Sequence, residues 1–178
     1  TLTRRIAYLI KERKVSPDRI LAVTFTNKAA EELRNRLKNL LGDHLSIPMA
    51  ETFHSLCYRL IREMAPDRKT IVLAEPDRLF FVGEAAETVK SAGISLAWTP
   101  KKISESISEA KQEILGCEDD LSRIARGIDE DILRRVYRTY QNLLTHQDCM
   151  DFDDLIFEIV SLFEKDRDVL SRVRNRFR

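Results

Sequence analysis

The chain is poor in the residues that make tight turns, since its 178 residues include only five glycines and five prolines. This scarcity argues against a β-sandwich or β-barrel with many turns and favours helices. Its three cysteines, Cys57, Cys117 and Cys149, lie far apart without a CxxC pair, so neither a zinc site nor a disulfide framework is expected. No apolar run approaches the roughly 20 residues of a membrane span, so we expect no membrane partner.

The chain also lacks a strong charge of one sign, with a formal net charge of +1. Residues 1–66 hold 12 Lys and Arg against 7 Asp and Glu, whereas residues 67–178 hold 18 against 22. The basic first part suits a polyanionic ligand, although an excess of this size is a weak signal.

The sequence also lacks the common motifs of a complete active site. The sequence has no glycine-rich phosphate loop, no HExxH, no GxSxG and no Cys/His pair at catalytic spacing, and its histidines are scattered at His44, His54 and His146. We therefore expect no complete active site within these residues.

Apolar periodicity predicts an α/β chain. The first third is predicted to form a helix, a strand, a helix, a strand and a helix. In that order they are residues 1–14, residues 20–25, a helix that ends near Gly42, residues 47–52 and residues 53–64. Short, almost wholly apolar strands of this kind are typical of a parallel sheet. The remainder predicts one short strand and then helices, over 70–73, 76–92, 100–115, 128–146, 151–164 and from about 166.

The most informative stretch follows the first predicted strand, where it passes into a helix. Its side chains are Thr24, Phe25, Thr26, Asn27 and Lys28. The free N–H groups of a helix start can bind a phosphate, and hydroxyl, amide and ammonium groups add donors there. If Phe25 faces solvent, a nucleobase can stack on it. The alternative is a capped helix above a buried phenylalanine.

A second strand–helix junction has the same composition, with Thr52 as a candidate cap and His54 and Ser55 in the first helical turn. Phe53 begins the apolar stripe of the helix, so we expect it in the core. A histidine at a helix start is otherwise a surface or capping residue. Two such junctions in one parallel sheet open on the same edge, which favours a shared groove for a nucleic-acid backbone.

Three further groups have ordinary structural interpretations. Asp151, Asp153 and Asp154 could hold a metal, but a cap and two carboxylates at the positive end of a helix are favoured. Tyr137 and Tyr140 are expected in the core. The basic tail is expected to be a solvated helix face, although it would also suit DNA; it comprises Arg167, Arg172, Arg174, Arg176 and Arg178.

These motifs together resemble the superfamily 1 DNA helicases of the UvrD/PcrA/Rep type. ILAVTFTNKAAEEL (residues 20–33) resembles their motif Ia, and TFHSL (52–56) resembles their motif Ib. ISEAK (107–111), VYRTYQ (136–141) and MDFDDL (150–155) are similar to segments of their helical 1B insertion. The match runs in order over nearly the whole chain, and its first motif is long and specific.

The resemblance implies a partial RecA-like (P-loop NTPase) lobe, carrying motifs Ia and Ib over 1–66, followed by a mainly helical 1B subdomain over 67–175 and a return to the first lobe at 176–178. It implies a cytoplasmic, nucleotide-binding hydrolase of DNA repair or replication, acting on single-stranded DNA and on junctions of single- and double-stranded DNA. The implied DNA-binding residues are Thr24, Phe25, Thr26, Asn27, Lys28, Thr52, Phe53 and His54.

The resemblance also implies ATP and Mg²⁺ as cofactors of a longer parent. The family's Walker A loop would precede Thr1 and its Walker B carboxylates would follow Arg178, so ATP hydrolysis by this chain alone is not expected. An isolated piece of a sheet exposes strand edges and apolar surface, which predicts self-association.

Two alternatives remain open on the sequence alone. The chain could be a non-catalytic, helical protein-interaction module, or it could belong to a nuclease-fused relative of these helicases. Reading the gene on both sides for a Gly-Lys-Thr loop and an Asp-Glu strand would separate the first alternative from a helicase.

Overall fold

A computed structural model describes residues 2–42, 44–95 and 97–177. The helices are α1 (Leu2–Lys11), α2 (Asn27–Leu41), α3 (Phe53–Met64), α4 (Glu75–Ser91), α5 (Pro100–Gln112), α6 (Ser122–Ala125), α7 (Glu130–His146), α8 (Asp154–Lys165) and α9 (Arg167–Arg176), with a 3-10 turn at Pro17–Arg19. The strands are β1 (Leu21–Thr24), β2 (Met49–Thr52), β3 (Ile71–Val72) and β4 (Cys149–Met150).

The chain forms two compact units. The first unit comprises the residues up to Leu60 and those from Leu162 onward, and the second unit comprises Ile61 to Ser161.

The first unit is built around a parallel pair of strands, in which Leu21 is paired with Met49 and Thr24 with Thr52. Helices α1 and α2 cover this pair, because both carry an apolar stripe at helical spacing. The buried core includes Ile6 and Ile10 of α1, Leu37 of α2 and Ala22 of β1. This packing places the carboxyl ends of β1 and β2 side by side.

The second unit is mainly helical, with α4 and α7 packed against each other and α5 beside them. Its core contains Val82, Ile103, Ile107 and Val136, all fully buried. A short parallel pair, β3 and β4, brings Val72 beside Met150. None of the helices among the described residues is long and apolar enough to cross a membrane.

The predicted α/β character is confirmed by the parallel strand pairs, and most predicted elements are present with shorter ends. The helix predicted over 100–115 ends at Gln112 because the chain turns at Ile114, whose φ is +59°. There the Leu115 amide donates to the Ala110 carbonyl at 2.8 Å, which closes the helix end. β4 and α6 were not predicted, because they are too short for apolar periodicity to reveal.

The three cysteines are free thiols. Two further structural predictions are confirmed. Tyr137 and Tyr140 are 1% and 0% exposed and belong to the core of the second unit. The basic tail forms α9, whose arginines are exposed; Arg178 lies outside the described residues, as does Thr1 of the predicted first helix.

Candidate nucleic-acid interface

Two strand–helix junctions lie next to each other in the first unit. β1 ends at Thr24 and β2 ends at Thr52, and these two residues are register partners in the parallel pair. The helices that follow, α2 and α3, begin at Asn27 and Phe53. As predicted, both junctions therefore open on the same edge of the sheet.

Phe25 lies between β1 and α2 and is 91% exposed. The alternative of a buried phenylalanine beneath a capped helix is therefore wrong. A side chain of this size normally contributes to a core, so its exposure leaves a flat apolar ring available to a ligand.

Phe53 is 45% exposed, and the expectation that it belongs to the core is wrong. It is the first residue of α3, whose buried stripe starts later, at Cys57 and Leu60. A side chain at the first position extends beyond the turn that packs on the core. The Phe25 and Phe53 ring centroids are instead 5.8 Å apart, with 54° between the ring planes. We call these two residues the aromatic pair.

Threonine side chains cap both helices at this edge. The Thr26 hydroxyl accepts a hydrogen bond from the Ala29 amide at 3.1 Å, and the Thr52 hydroxyl accepts one from the Ser55 amide at 3.2 Å. The Thr24 hydroxyl donates to the Thr26 carbonyl at 3.1 Å and fixes the bend between them. These bonds set the direction in which each helix leaves the sheet.

The remaining predicted residues differ in accessibility. Asn27 and Lys28 are exposed in the first turn of α2, and His54 is half-buried in the first turn of α3. Thr52 is only 7% exposed, so its hydroxyl serves the cap rather than the surface. The edge thus combines two rings, two helix starts and one ammonium group.

A charged pair that was not predicted from the sequence lies directly beside this edge. Glu51 precedes Thr52 in β2, is 7% exposed, and accepts a hydrogen bond from Arg59 of α3 at 2.7 Å. Arg59 compensates a buried carboxylate that would otherwise repel a phosphate at the start of α3. The available signal was a glutamate within the second predicted strand, eight residues before an arginine.

The carboxylates at 151–154 form a helix cap in the second unit, as favoured from the sequence. The Asp151 side chain accepts a hydrogen bond from the Asp154 amide at 2.9 Å, and the Asp154 side chain accepts one from the Asp151 amide at 3.0 Å. The helix predicted from residue 151 therefore begins at Asp154. Among the described residues, no group of His, Cys, Asp and Glu could hold a metal ion.

A buried lysine lies between these two carboxylates. Lys111 of α5 is 1% exposed, and its Nζ lies 2.7 Å from both Asp151 Oδ2 and Asp154 Oδ1. Tyr140 also donates to Asp151, at 2.8 Å. The sequence placed Lys111 in a helix but did not reveal that it is buried, because Asp151 lies 40 residues further along the chain and Asp154 lies beyond it.

The two carboxylates of this cluster differ in proton affinity. Burial raises the pKa of Asp154 to about 6, against the opposing charge of Lys111. Burial acts in the same direction on Asp151, but the charge and hydrogen bonds of Lys111 outweigh it and hold the pKa of Asp151 below its usual value. Burial also raises the pKa of Tyr140, which therefore keeps its proton as a donor.

Comparisons with known proteins give a consistent result. The family model of the UvrD/REP helicase N-terminal domain matches residues 1–178. The ATP-dependent DNA helicase PcrA of Staphylococcus epidermidis is 35% identical, over 99% of this chain and 24% of the relative. PcrA of Staphylococcus aureus shows the same identity and coverage. The chain thus spans about a quarter of the length of these curated relatives.

Proposed function

Because this chain belongs to the family of UvrD/REP helicase N-terminal domains, we propose that it supplies single-stranded DNA contacts to an ATP-dependent DNA helicase and translocase. In this proposal residues 1–66 are part of the first RecA-like lobe, residues 67–175 are the helical 1B subdomain, and residues 176–178 return to the lobe. Such a protein would act in the cytoplasm, in DNA repair or replication.

The observation that carries the proposal is the exposed aromatic pair at the shared edge of two parallel strands. Phe25 offers a ring on which a base stacks, and Phe53 supports that ring from the side. Stacking on an aromatic side chain contributes about 1–3 kcal/mol per base and does not depend on base identity.

The polar groups around the aromatic pair would bind the DNA backbone. The starts of α2 and α3 offer amide donors to phosphates, and Lys28 adds a positive charge. Thr24, Thr26 and Asn27 add polar contacts, while Thr52 acts by holding α3 in place and His54 lies beside it. Contacts of this kind position any sequence equally, which a motor moving along arbitrary DNA requires.

The residues of this chain do not fit a site for ATP and Mg²⁺. The sequence lacks a glycine-rich phosphate loop. The buried carboxylates Asp151 and Asp154 are both ion-paired with Lys111, and Asp151 is also paired with Arg78. We propose that these cofactors are bound by other parts of the full helicase.

Fluorescence anisotropy with labelled dT16 tests the proposed DNA contacts in the 178-residue chain. We expect Phe25→Ala to weaken binding about tenfold or more, from the stacking free energy lost. Phe53→Ala is expected to act in the same direction with a smaller effect. The matched control is Phe80→Ala, which removes another exposed phenylalanine that lies in the second unit. Unchanged binding by Phe25→Ala would contradict the stacking assignment.

Salt and DNA structure provide two further readouts of the same assay. Binding is expected to weaken as salt rises, and Lys28→Ala should reduce the slope of log K against log salt by about 1. A hairpin with a 3′ dT16 tail tests whether a junction binds more tightly than the single strand alone. Equal slopes for wild type and Lys28→Ala would remove Lys28 from the interface.

We also propose that the isolated chain self-associates. We test this by sedimentation velocity at roughly 2 to 200 µM, which covers weak association. The fraction of a species larger than the monomer is expected to rise with concentration. A single monomeric species over the whole range would contradict this expectation.

A further inference from the structure

The two rings of the aromatic pair are inclined to each other. Their centroids are 5.8 Å apart, and the angle between the ring planes is 54°. Stacked bases of a nucleic-acid strand are instead nearly parallel and about 3.4 Å apart. Two bases that each stack on one of these rings therefore cannot remain stacked on each other.

Both rings keep surface that a ligand can reach. Phe25 is 91% exposed and Phe53 is 45% exposed. A base inserted between two parallel rings needs roughly 7 Å between them, which is twice the spacing of stacked bases. The separation of 5.8 Å and the tilt of the rings exclude such a sandwich. Bases can therefore stack only on the outer surfaces of the two rings.

Hydrogen bonds beside each ring fix where the rings leave the sheet. Phe25 lies between Thr24 and Thr26, and the Thr24 hydroxyl donates to the Thr26 carbonyl at 3.1 Å. Phe53 follows Thr52, whose hydroxyl caps α3. Thr24 and Thr52 are register partners in the parallel pair. The fold of the first unit therefore sets the distance between the two rings.

Each ring also has a helix start beside it. Helix α2 begins two residues after Phe25, at Asn27, and α3 begins at Phe53 itself. The free amides of a helix start can bind a phosphate. The edge therefore offers two neighbouring positions of the same kind, each with a ring for a base and amide donors for a phosphate.

We propose that the aromatic pair binds an unstacked step of single-stranded DNA, with one base on Phe25 and the next base on Phe53. This inference rests on the proposed function, because it concerns the same interface. Phe53 is then the specificity-determining residue of the edge, since its tilted ring selects strands that give up their own base stacking easily.

The selection acts through the strand rather than through recognition of a base. Neither ring reads base identity, but a strand that unstacks at the aromatic pair loses some of its own stacking free energy. Proteins that bind single strands by stacking prefer pyrimidine runs modestly, because of stacking strength and backbone flexibility. We therefore expect the site to favour thymine runs over adenine runs.

A comparison of two homopolymers tests this inference in the 178-residue chain. The strands dT16 and dA16 carry the same number of phosphates, so backbone contacts contribute equally to both. Fluorescence anisotropy at one fixed salt concentration measures the two dissociation constants. We expect wild type to bind dT16 about fivefold more tightly than dA16.

Variants at Phe53 test whether the tilted ring causes this preference. Phe53→Ala should reduce it to about twofold or less, because a strand that stacks on Phe25 alone need not unstack at the next base. Phe53→Tyr keeps the ring and should keep the preference. The matched control is Phe80→Ala, which removes an exposed phenylalanine of the second unit and should leave the preference unchanged.

A hexanucleotide made only of 2-aminopurine reports the stacking directly. Stacked neighbours of this base couple to each other in circular dichroism, and the coupling is lost at a step that unstacks. Because every base is the same, any register places such a step on the aromatic pair. At protein concentrations where anisotropy shows the strand to be bound, we expect wild type to weaken the coupling and Phe53→Ala to weaken it less.

The outcomes separate this inference from the proposed function. If dT16 binding depends on Phe25 but wild type binds dT16 and dA16 equally, the unstacked step is overturned and the proposed function stands. The same conclusion follows if Phe53→Ala keeps the full preference, or if the bound hexanucleotide stays stacked at every step. If neither homopolymer binds, or if binding does not depend on Phe25, the proposed DNA contacts and this inference are overturned together.

Discussion

The edge beside the aromatic pair and the start of α8 are built from the same local elements, yet they face opposite environments. In both, a strand of a parallel pair ends and a polar side chain caps the next helix. Thr26 caps α2 through the Ala29 amide, and Asp151 caps α8 through the Asp154 amide. At the first edge Phe25 is 91% exposed, whereas Asp151 is fully buried.

This difference shows that a capped strand–helix junction is not by itself a binding site. In the second unit, α5 covers the junction and inserts Lys111 between the carboxylates. In the first unit, the rings of the aromatic pair remain accessible at the edge. The neighbouring elements decide whether the free donors and acceptors of a junction bind a ligand or stabilise a core.

Removing the buried cation of the second unit, Lys111, should have the largest effect on stability. Lys111→Met removes the cation that contacts both buried carboxylates and leaves only Arg78, whose Nε lies 3.7 Å from Asp151 Oδ2. We therefore expect the free energy of unfolding to fall by about 3–5 kcal/mol. Urea denaturation followed by circular dichroism measures this change. Lys101→Met, on the exposed surface of the same helix, is the control and should change it by less than about 0.5 kcal/mol. A loss below about 1 kcal/mol for Lys111→Met would mean that the carboxylates do not depend on this cation.

A single hydrogen bond in the same cluster should have the next largest effect. Tyr140→Phe removes the hydroxyl that donates to Asp151, and a hydrogen bond to a charged group contributes about 1.5–3 kcal/mol. Tyr137→Phe removes a bond to the neutral Leu115 carbonyl, which contributes about 1 kcal/mol. The same denaturation experiment ranks the two variants, and an equal or reversed order would contradict the charged character of Asp151.

The pH dependence of stability provides a third test of the buried cluster. Because the pKa of Asp154 is raised to about 6 in the folded state, the folded state takes up a proton there as pH falls from 7 to 5, while the unfolded state remains ionised. This group therefore adds about 1 kcal/mol of stability between pH 7 and pH 5. The stabilisation is complete once pH is below the unfolded pKa of 3.8, and it does not increase further.

Asp154→Asn should abolish that gain, since an amide does not titrate. As pH falls from 7 to 5, the unfolding free energy of wild type should therefore rise relative to that of Asp154→Asn. Asp151 has a lowered pKa and acts in the opposite direction, at lower pH. A difference that stays constant between pH 7 and 5 would contradict the raised pKa of Asp154.

The caps of the exposed junction should have the smallest effect on stability. Thr26→Ala removes the bond to the Ala29 amide, and the loss of an N-cap reduces the free energy of unfolding by about 1 kcal/mol. Thr26→Ser keeps the hydroxyl and serves as the control. Dissociation constants for dT16 should follow the same order, because the cap also directs the start of α2. Weaker DNA binding by Thr26→Ser than by Thr26→Ala would separate DNA binding from the cap.

Much of the first unit could be predicted from local pattern. The apolar run before Thr24, the stripe of α2 and the capping threonine are all contained in segments of about 15 residues, and each lies near its predicted position. In the second unit, the helix starts predicted at residues 76, 100 and 128 lie close to the observed starts at Glu75, Pro100 and Glu130, because apolar periodicity is also a local pattern.

The environment of individual side chains could not be predicted in the same way. Phe53 begins an apolar stripe and was assigned to the core, but its position at the start of α3 turns the ring towards Phe25. Lys111 was an ordinary helical lysine until α8 brought Asp151 and Asp154 against it. In both cases the outcome depends on a residue from another element.

The amino-acid sequence by itself determined the family, the α/β order of elements and the capped junctions, because these depend on contiguous residues and on repeating apolar spacing. The tertiary structure alone decided which junction stays exposed, which phenylalanines face solvent and which charges are buried. Burial depends on contacts between elements that are distant in the chain. A hydroxyl or carboxylate in the same local sequence context can therefore be exposed to solvent in one place and buried in another.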